Sequence, residues 1–211
     1  MNATMSLITL CFLVYGIMIF SLYIGIDEDF IFQNFGFSGE NLFNKPWTLL
    51  TSIFMHVSID HLLSNVFVMF FFGIAVESEI GKKKMLSIFF LGAIAGDLLS
   101  LLFYPPSAIS IGASAGVFAL IGVGMLVRPL DMSFYPPFFI LPLGLLGILY
   151  AFYNAVGFLF GGGNISYIAH FGGLFIGLLF GMRQEGWQRG FKILLIMLLI
   201  MILIPIIWLI I

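Results

Sequence analysis

The 211 residues are 62% hydrophobic and only 9% charged, far below the roughly 25% charge of a soluble domain, and such a chain reads as an all-α integral membrane protein. Its net charge of -2 gives no basic surface for nucleic acid, and the one basic tract is Lys82-Lys83-Lys84. A single cysteine, Cys11, excludes an internal disulfide and a cysteine-rich metal site.

Crossing about 30 Å of hydrocarbon at about 1.5 Å per residue takes roughly 20 apolar residues, and such runs recur along the chain. Charge, proline and glycine divide them into seven predicted spans, at about 5–25, 58–78, 85–103, 114–128, 137–157, 166–183 and 190–211. The first, Met5 to Ile24, has no basic n-region and runs into Gly25-Ile26-Asp27-Glu28-Asp29, which predicts a retained helix and not a cleaved signal. The connection 26–57 holds four acidic residues, one lysine and amphipathic stretches such as Trp47 to Phe54, and is expected to fold against the membrane surface.

Ser58 is expected to cap the second span, where His61 and Asn65, spaced i, i+4, share one face. They could form an interhelical polar contact. They could equally donate hydrogen bonds to the negative oxygen of a tetrahedral intermediate, together with the Ser114 backbone N–H. His56 lies just outside that span, where a structural hydrogen bond is expected. Glu77 is expected to brace helix ends. In the third span Asp97 is a buried carboxylate with no spacing that ties it to His170.

Gly112-Ala113-Ser114-Ala115-Gly116 fits G-x-S-x-G but lacks the strand-to-helix setting of soluble hydrolases, since apolar helices are expected on both sides. It reads either as a seam of small residues, with Gly112, Gly116 and Gly124 admitting a neighbouring helix, or as a nucleophile in a close-packed setting. In the sixth span His170 precedes Gly173, Gly177 and Gly181, a four-residue ladder that would bring this helix close to a neighbour. If that neighbour carries Ser114, the imidazole can take the serine proton, as activation of a weak nucleophile requires. A buried histidine can also serve packing or an ion path, but ionisable groups at this depth are costly and usually functional. The three histidines lack H-E-x-x-H spacing and an accompanying carboxylate ligand, so no metal or other cofactor is expected.

Seven of the eight basic residues, Lys82, Lys83, Lys84, Arg128, Arg183, Arg189 and Lys192, fall on one side if the spans alternate, with Lys45 on the other. The positive-inside rule then places the N-terminus in the cytoplasm and the 26–57 connection outside. Ser114 lies 14 residues before Arg128 and His170 lies 13 before Arg183, which puts both about 20 Å from the cytoplasmic end. Asn65 reaches the same height and His61 sits one turn nearer the outside, so four polar side chains gather about 10 Å below the external surface.

Taken together, His56-x4-His61-x3-Asn65, Gly112-x-Ser114-x-Gly116 and Ala169-His170-x2-Gly173-x3-Gly177 resemble, in order and spacing, the signature elements of the rhomboid family of intramembrane serine proteases. The resemblance covers roughly residues 40 to 185. It implies a six-helix core within a membrane domain of residues 1–189, to which 190–211 adds a seventh transmembrane helix. It further implies a Ser114–His170 catalytic dyad, His61 and Asn65 at the oxyanion site, a 26–57 loop half-embedded in the bilayer, and a cap from Phe158 to Asn164. Two positions depart from the family pattern: Thr48 follows Trp47 where arginine is frequent, and Phe118 stands where bacterial relatives often place a tyrosine stacked on the histidine. The implied function is endopeptidase cleavage of transmembrane proteins near the external side of a cell membrane. The alternative is a proteolytically inactive relative that binds transmembrane helices for quality control.

Overall fold

The computed structural model describes residues 2–132, 141–161 and 166–210. The chain is all-α, with elements α1 (Ala3–Tyr23), α2 (Glu28–Phe35), α3 (Asn41–Asn44), α4 (Thr48–Thr51), α5 (Ile59–Ile80), α6 (Lys82–Ser100), α7 (Ser114–Val127), α8 (Leu143–Phe160), α9 (Tyr167–Glu185) and α10 (Trp187–Ile210). Among the described residues, α1, α5 and α8 are long and apolar enough to cross a bilayer by length and composition. With the similarly long α6, α9 and α10 beside them, the chain is a multi-pass membrane protein.

Helix ends follow local chemistry. Asn2 caps α1 by accepting from the Met5 N–H at 2.9 Å, and Ser58 caps α5 by accepting from the His61 N–H at 3.2 Å. Glu77 of α5 accepts from the Ala3 N–H at 2.7 Å, the Thr4 N–H at 2.8 Å and the Thr4 hydroxyl at 2.7 Å, so a carboxylate satisfies the unpaired donors at the positive end of α1. Gly81, at φ +83°, turns α5 directly into α6. The third span stops at Ser100, short of residue 103. There the Ser100 hydroxyl donates to the Asp97 carbonyl, its own carbonyl accepts from Phe103 and Tyr104, and Pro105-Pro106 ends helical continuation. The segment before Ser114 is therefore irregular, which corrects the expectation of helices on both sides of the motif.

Apolar all round, α7 is enclosed by the bundle, with every residue from Ala115 to Val127 buried. Its 14 residues span only about 21 Å against a hydrocarbon thickness of about 30 Å. A helix this short cannot reach both surfaces of the hydrocarbon core, and Ser114 is its first residue.

Glycines bring α9 onto α7. A Cβ on Gly173 would run into the Ala115 carbonyl and one on Gly177 into the Ala119 carbonyl, while Gly181 lies on the Leu126 side chain. From α7, Gly122 returns the contact against the Leu174 carbonyl. Such backbone-to-backbone approach is how helices gain van der Waals contact in lipid, where no hydrophobic drive operates between them. Gly112, Gly116 and Gly124 do not form the expected single seam. They face His61 of α5, Phe89 of α6 and Phe72 of α5 respectively, so each receives a different side chain.

Between α1 and α5, the short helices are tied to the segment before Ser114. Phe37 and Ser110 exchange two backbone hydrogen bonds of 3.0 and 2.7 Å, and the Gly112 N–H donates to the Ser52 carbonyl at 2.9 Å. Thr48 is buried with its hydroxyl on the Lys45 carbonyl, and the Trp47 indole N–H donates to the Asn34 carbonyl. Phe43, Trp47 and Leu50 face outward. The last helix begins at Trp187 and not at 190, and it packs back onto the bundle, with Gly190 against Met182 and Met197 buried beside Gly144. The predicted span 137–157 lies outside the described residues at 137–140, as do residues 162–164 of the expected cap.

Candidate active site

At the first turn of α7, the Ser114 hydroxyl lies 2.8 Å from Nε2 of His170, which projects from the first turn of α9. The glycine ladder explains the distance: with Gly173 against Ala115, the two backbones lie close enough for a serine and a histidine to touch. Phe118, one turn along α7 from Ser114, stacks flat on the imidazole at 4.4 Å between centroids and 10° between planes. Tyr167 meets the same ring edge-on at 6.3 Å. The imidazole is thus held on its face and its edge, and its rotamer is fixed.

The other ring nitrogen, Nδ1, lies 2.8 Å from Oδ1 of Asn154 on α8. Sequence reasoning missed this residue because it sought a carboxylate. The available signal was a lone side-chain amide in the apolar span 137–157, and a polar side chain there demands an explanation. Asp97 does not approach His170 in any bond described; it accepts from the Ser110 hydroxyl at 2.8 Å and so anchors the segment leading to Ser114.

His61 lies over Gly112. A Cβ at Gly112 would fall 2.8 Å from Cε1 and 2.9 Å from Nε2 of that ring, and the φ of +122° there is one that L side chains rarely adopt. Glycine is required at this position for both reasons. His56 is fully buried, with Nδ1 on the Phe54 carbonyl at 3.1 Å and its ring edge-to-face with His61 at 5.0 Å. Asn65 is buried on the face of α5 that carries His61, and it donates one amide N–H to the His61 carbonyl at 2.9 Å. The free N–H groups of the first turn of α7 and the positive end of its dipole sit beside the serine, a setting that favours an oxyanion.

Residues 44–185 match the Rhomboid domain. The chain belongs to the rhomboid family. It is 28% identical over 174 residues to the mitochondrial RHOMBOID-like protein 12 of Arabidopsis thaliana, covering 74% of this chain and 52% of that protein. It is 32% identical over 150 residues to the mitochondrial RHOMBOID-like protein 6 of the same plant, covering 69% and 47%. Over a shorter stretch of 76 residues it is 41% identical to Rhomboid-like protease 3 of Toxoplasma gondii, covering 36% of this chain and 28% of that one. This rhomboid chain spans about half the length of the first two relatives. The matched region runs from α3 through the end of α9 and includes Ser114, His170, Asn154, His61 and Asn65.

Thr48 and Phe118, the two positions expected to depart from the family pattern, are both buried. Phe118 stacks on His170 without a hydroxyl. Thr48 turns inward onto its own loop, and Lys45 donates to the Gln33 carbonyl at 2.9 Å.

Proposed function

We propose that the protein is an intramembrane serine endopeptidase that cleaves transmembrane protein substrates near the external side of the bilayer. The observation that carries this reading is the 2.8 Å contact between Ser114 Oγ and His170 Nε2 at the recessed end of an enclosed apolar helix. His170 takes the serine proton as Oγ attacks a substrate carbonyl, and the negative oxygen settles against the first N–H groups of α7 with donors from His61 and Asn65. The protonated imidazole then gives its proton to the leaving amine. Water, activated by the same nitrogen, releases the acyl group from Ser114. A helical substrate hides its carbonyls in i to i−4 hydrogen bonds and must unwind before attack, so Gly or Pro near the cut favours cleavage.

The orientation follows from charge. Arg128 bonds Glu79 at 2.7 Å, Lys84 donates to Gln184 at 3.0 Å, and Glu77 holds the start of α1, so Lys84, Arg128 and the N-terminal end of α1 share one end of the bundle, while Lys45 lies in the 26–57 connection. Ser114 sits at the opposite end of α7 from Arg128. Under the positive-inside rule that end faces outward. Cysteines placed at exposed Lys83 and Leu102 should label from opposite sides of the membrane, and labelling from one side would overturn the orientation.

Two of the matched Toxoplasma gondii relatives are called proteases, whereas the plant relatives are called rhomboid-like proteins. The distinction between protease and non-cleaving helix binder rests on activity. Purified protein and a single-pass model substrate, incubated beside a Ser114→Ala control, should yield a cut that the control lacks. A folded wild-type protein that captures the substrate without cutting it would favour the binder.

A further inference from the structure

We infer that Asn154 is the positioning residue of the site: it selects the His170 tautomer that leaves Nε2 free to accept the Ser114 proton. The inference rests on the protease reading and extends it to a third residue. Two hydrogen bonds fix the Asn154 amide. Its nitrogen donates to the Tyr167 carbonyl at 3.1 Å, and its oxygen lies 2.8 Å from His170 Nδ1. A backbone carbonyl can only accept, so the amide nitrogen must face Tyr167 and the oxygen must face the imidazole. An oxygen accepts as well, so Nδ1 must carry the proton. Neutral imidazole protonated at Nδ1 has its lone pair on Nε2, the atom 2.8 Å from the serine hydroxyl.

Burial enforces the choice. Asn154 is 1% exposed, so water does not compete for either bond. Moving the proton to Nε2 would set two acceptors against each other at Nδ1, and the serine hydroxyl would turn to accept from Nε2–H and no longer offer its proton to it. Flipping the amide would set its oxygen against the Tyr167 carbonyl. Each alternative leaves buried polar groups unpaired, which is the costly arrangement. When His170 gains the serine proton, the Nδ1–H bond to Asn154 remains and strengthens against a cationic ring. A neutral amide thus does for this histidine the orienting work that a carboxylate does in other triads. Asn154 touches no reacting atom. It acts through His170 and bridges α8 to the first turn of α9.

The test uses the full chain in detergent micelles with 15N-labelled histidine. Three histidines give few imidazole signals, and His170→Gln identifies those of His170. The wild-type spectrum should show protonated Nδ1 and unprotonated Nε2. Asn154→Leu should populate the Nε2–H form and lower kcat on a model transmembrane substrate about 10- to 100-fold, the loss of one hydrogen bond to a charged group, with KM nearly unchanged. Asn154→Asp, which keeps an acceptor at Nδ1, should restore the tautomer and most of kcat. If the leucine variant does not fold, Asn154→Ala is read in the same way. A wild-type tautomer retained in the leucine or alanine variant overturns the inference, as does a kcat loss that aspartate fails to reverse. The spectrum needs no substrate. Absence of cleavage by the wild-type protein would therefore count against the protease reading, while the tautomer still decides the role of Asn154.

Discussion

His170 is held from two sides by two very different kinds of helix contact. Against α7, α9 packs backbone to backbone, with Gly173 on the Ala115 carbonyl and Gly177 on the Ala119 carbonyl. Past Gly144, which rests on the Pro129 carbonyl, α8 packs through side chains: Gly147 lies on Met125, Gly157 on the Tyr167 ring, and Phe152, Tyr153, Leu159 and Phe160 face outward. A carbonyl cannot move without moving a helix, whereas a methionine can change rotamer. The α7–α9 contact therefore sets the distance between serine and imidazole. The α8 contact sets the direction of the imidazole and has more slack.

The comparison is broken most completely at the reacting atoms. Ser114→Ala and His170→Ala should each abolish cleavage while leaving folded protein, because nucleophile and base act as a unit whose losses do not add. Full activity in either variant, measured on a single-pass substrate, would remove the pair from the mechanism.

A change in the seam itself combines a loss of stability with a loss of turnover. Gly173→Val places a branched side chain against the Ala115 carbonyl and should cost about 1–3 kcal/mol or more by overpacking. Displacing the histidine by about 1 Å should lower kcat by about 100-fold in the molecules that remain folded. The counterpart on α8, Gly147→Ala, meets the Met125 side chain and, less closely, that of Ile121, and should leave turnover within about threefold, since the methionine can repack at small cost. Equal damage from the two substitutions would erase the difference between the contacts. Thermal unfolding together with turnover reads both effects.

His61→Ala and Asn65→Ala should each lower kcat by about 10²–10³-fold with little change in unfolding temperature, as expected for donors that act on the transition state. The α7 N–H groups and the remaining side chain keep residual activity measurable, unlike Ser114→Ala. A destabilised Asn65→Ala with normal kcat would reduce its bond to the His61 carbonyl to packing. A smaller loss than at the oxyanion donors is expected for Phe118→Leu, which removes a ring stack of about 0.5–1.5 kcal/mol and should lower kcat by no more than about tenfold.

Much of this arrangement was legible in the sequence because it is written in spacing. The Gly173-Gly177-Gly181 ladder shows that α9 approaches some helix closely, and counting from Arg128 and Arg183 puts Ser114 and His170 at one depth. Asn154 was not legible as a partner of His170. Its bond depends on how α8 sits against α9, which no single-helix periodicity reports. Gly112 shows the opposite limit: its place in a small-residue motif suggested a helix seam, yet its positive φ and its contact with His61 make it a turn. The break before Ser114 was legible in part, since the predicted spans stop at 103 and resume at 114 around Pro105-Pro106, but the Phe37–Ser110 pairing that ties this segment to the 26–57 connection is a long-range contact that no local pattern reports.

The central claim is that His170 makes Ser114 a nucleophile. A fluorophosphonate probe, incubated with the purified protein and located by peptide mass spectrometry, measures this directly. The account predicts a single adduct on the peptide containing Ser114, lost in Ser114→Ala and strongly reduced in a folded His170→Ala variant. Labelling of Ser114 at an unchanged rate without His170, or no labelling of folded wild-type protein, would contradict it.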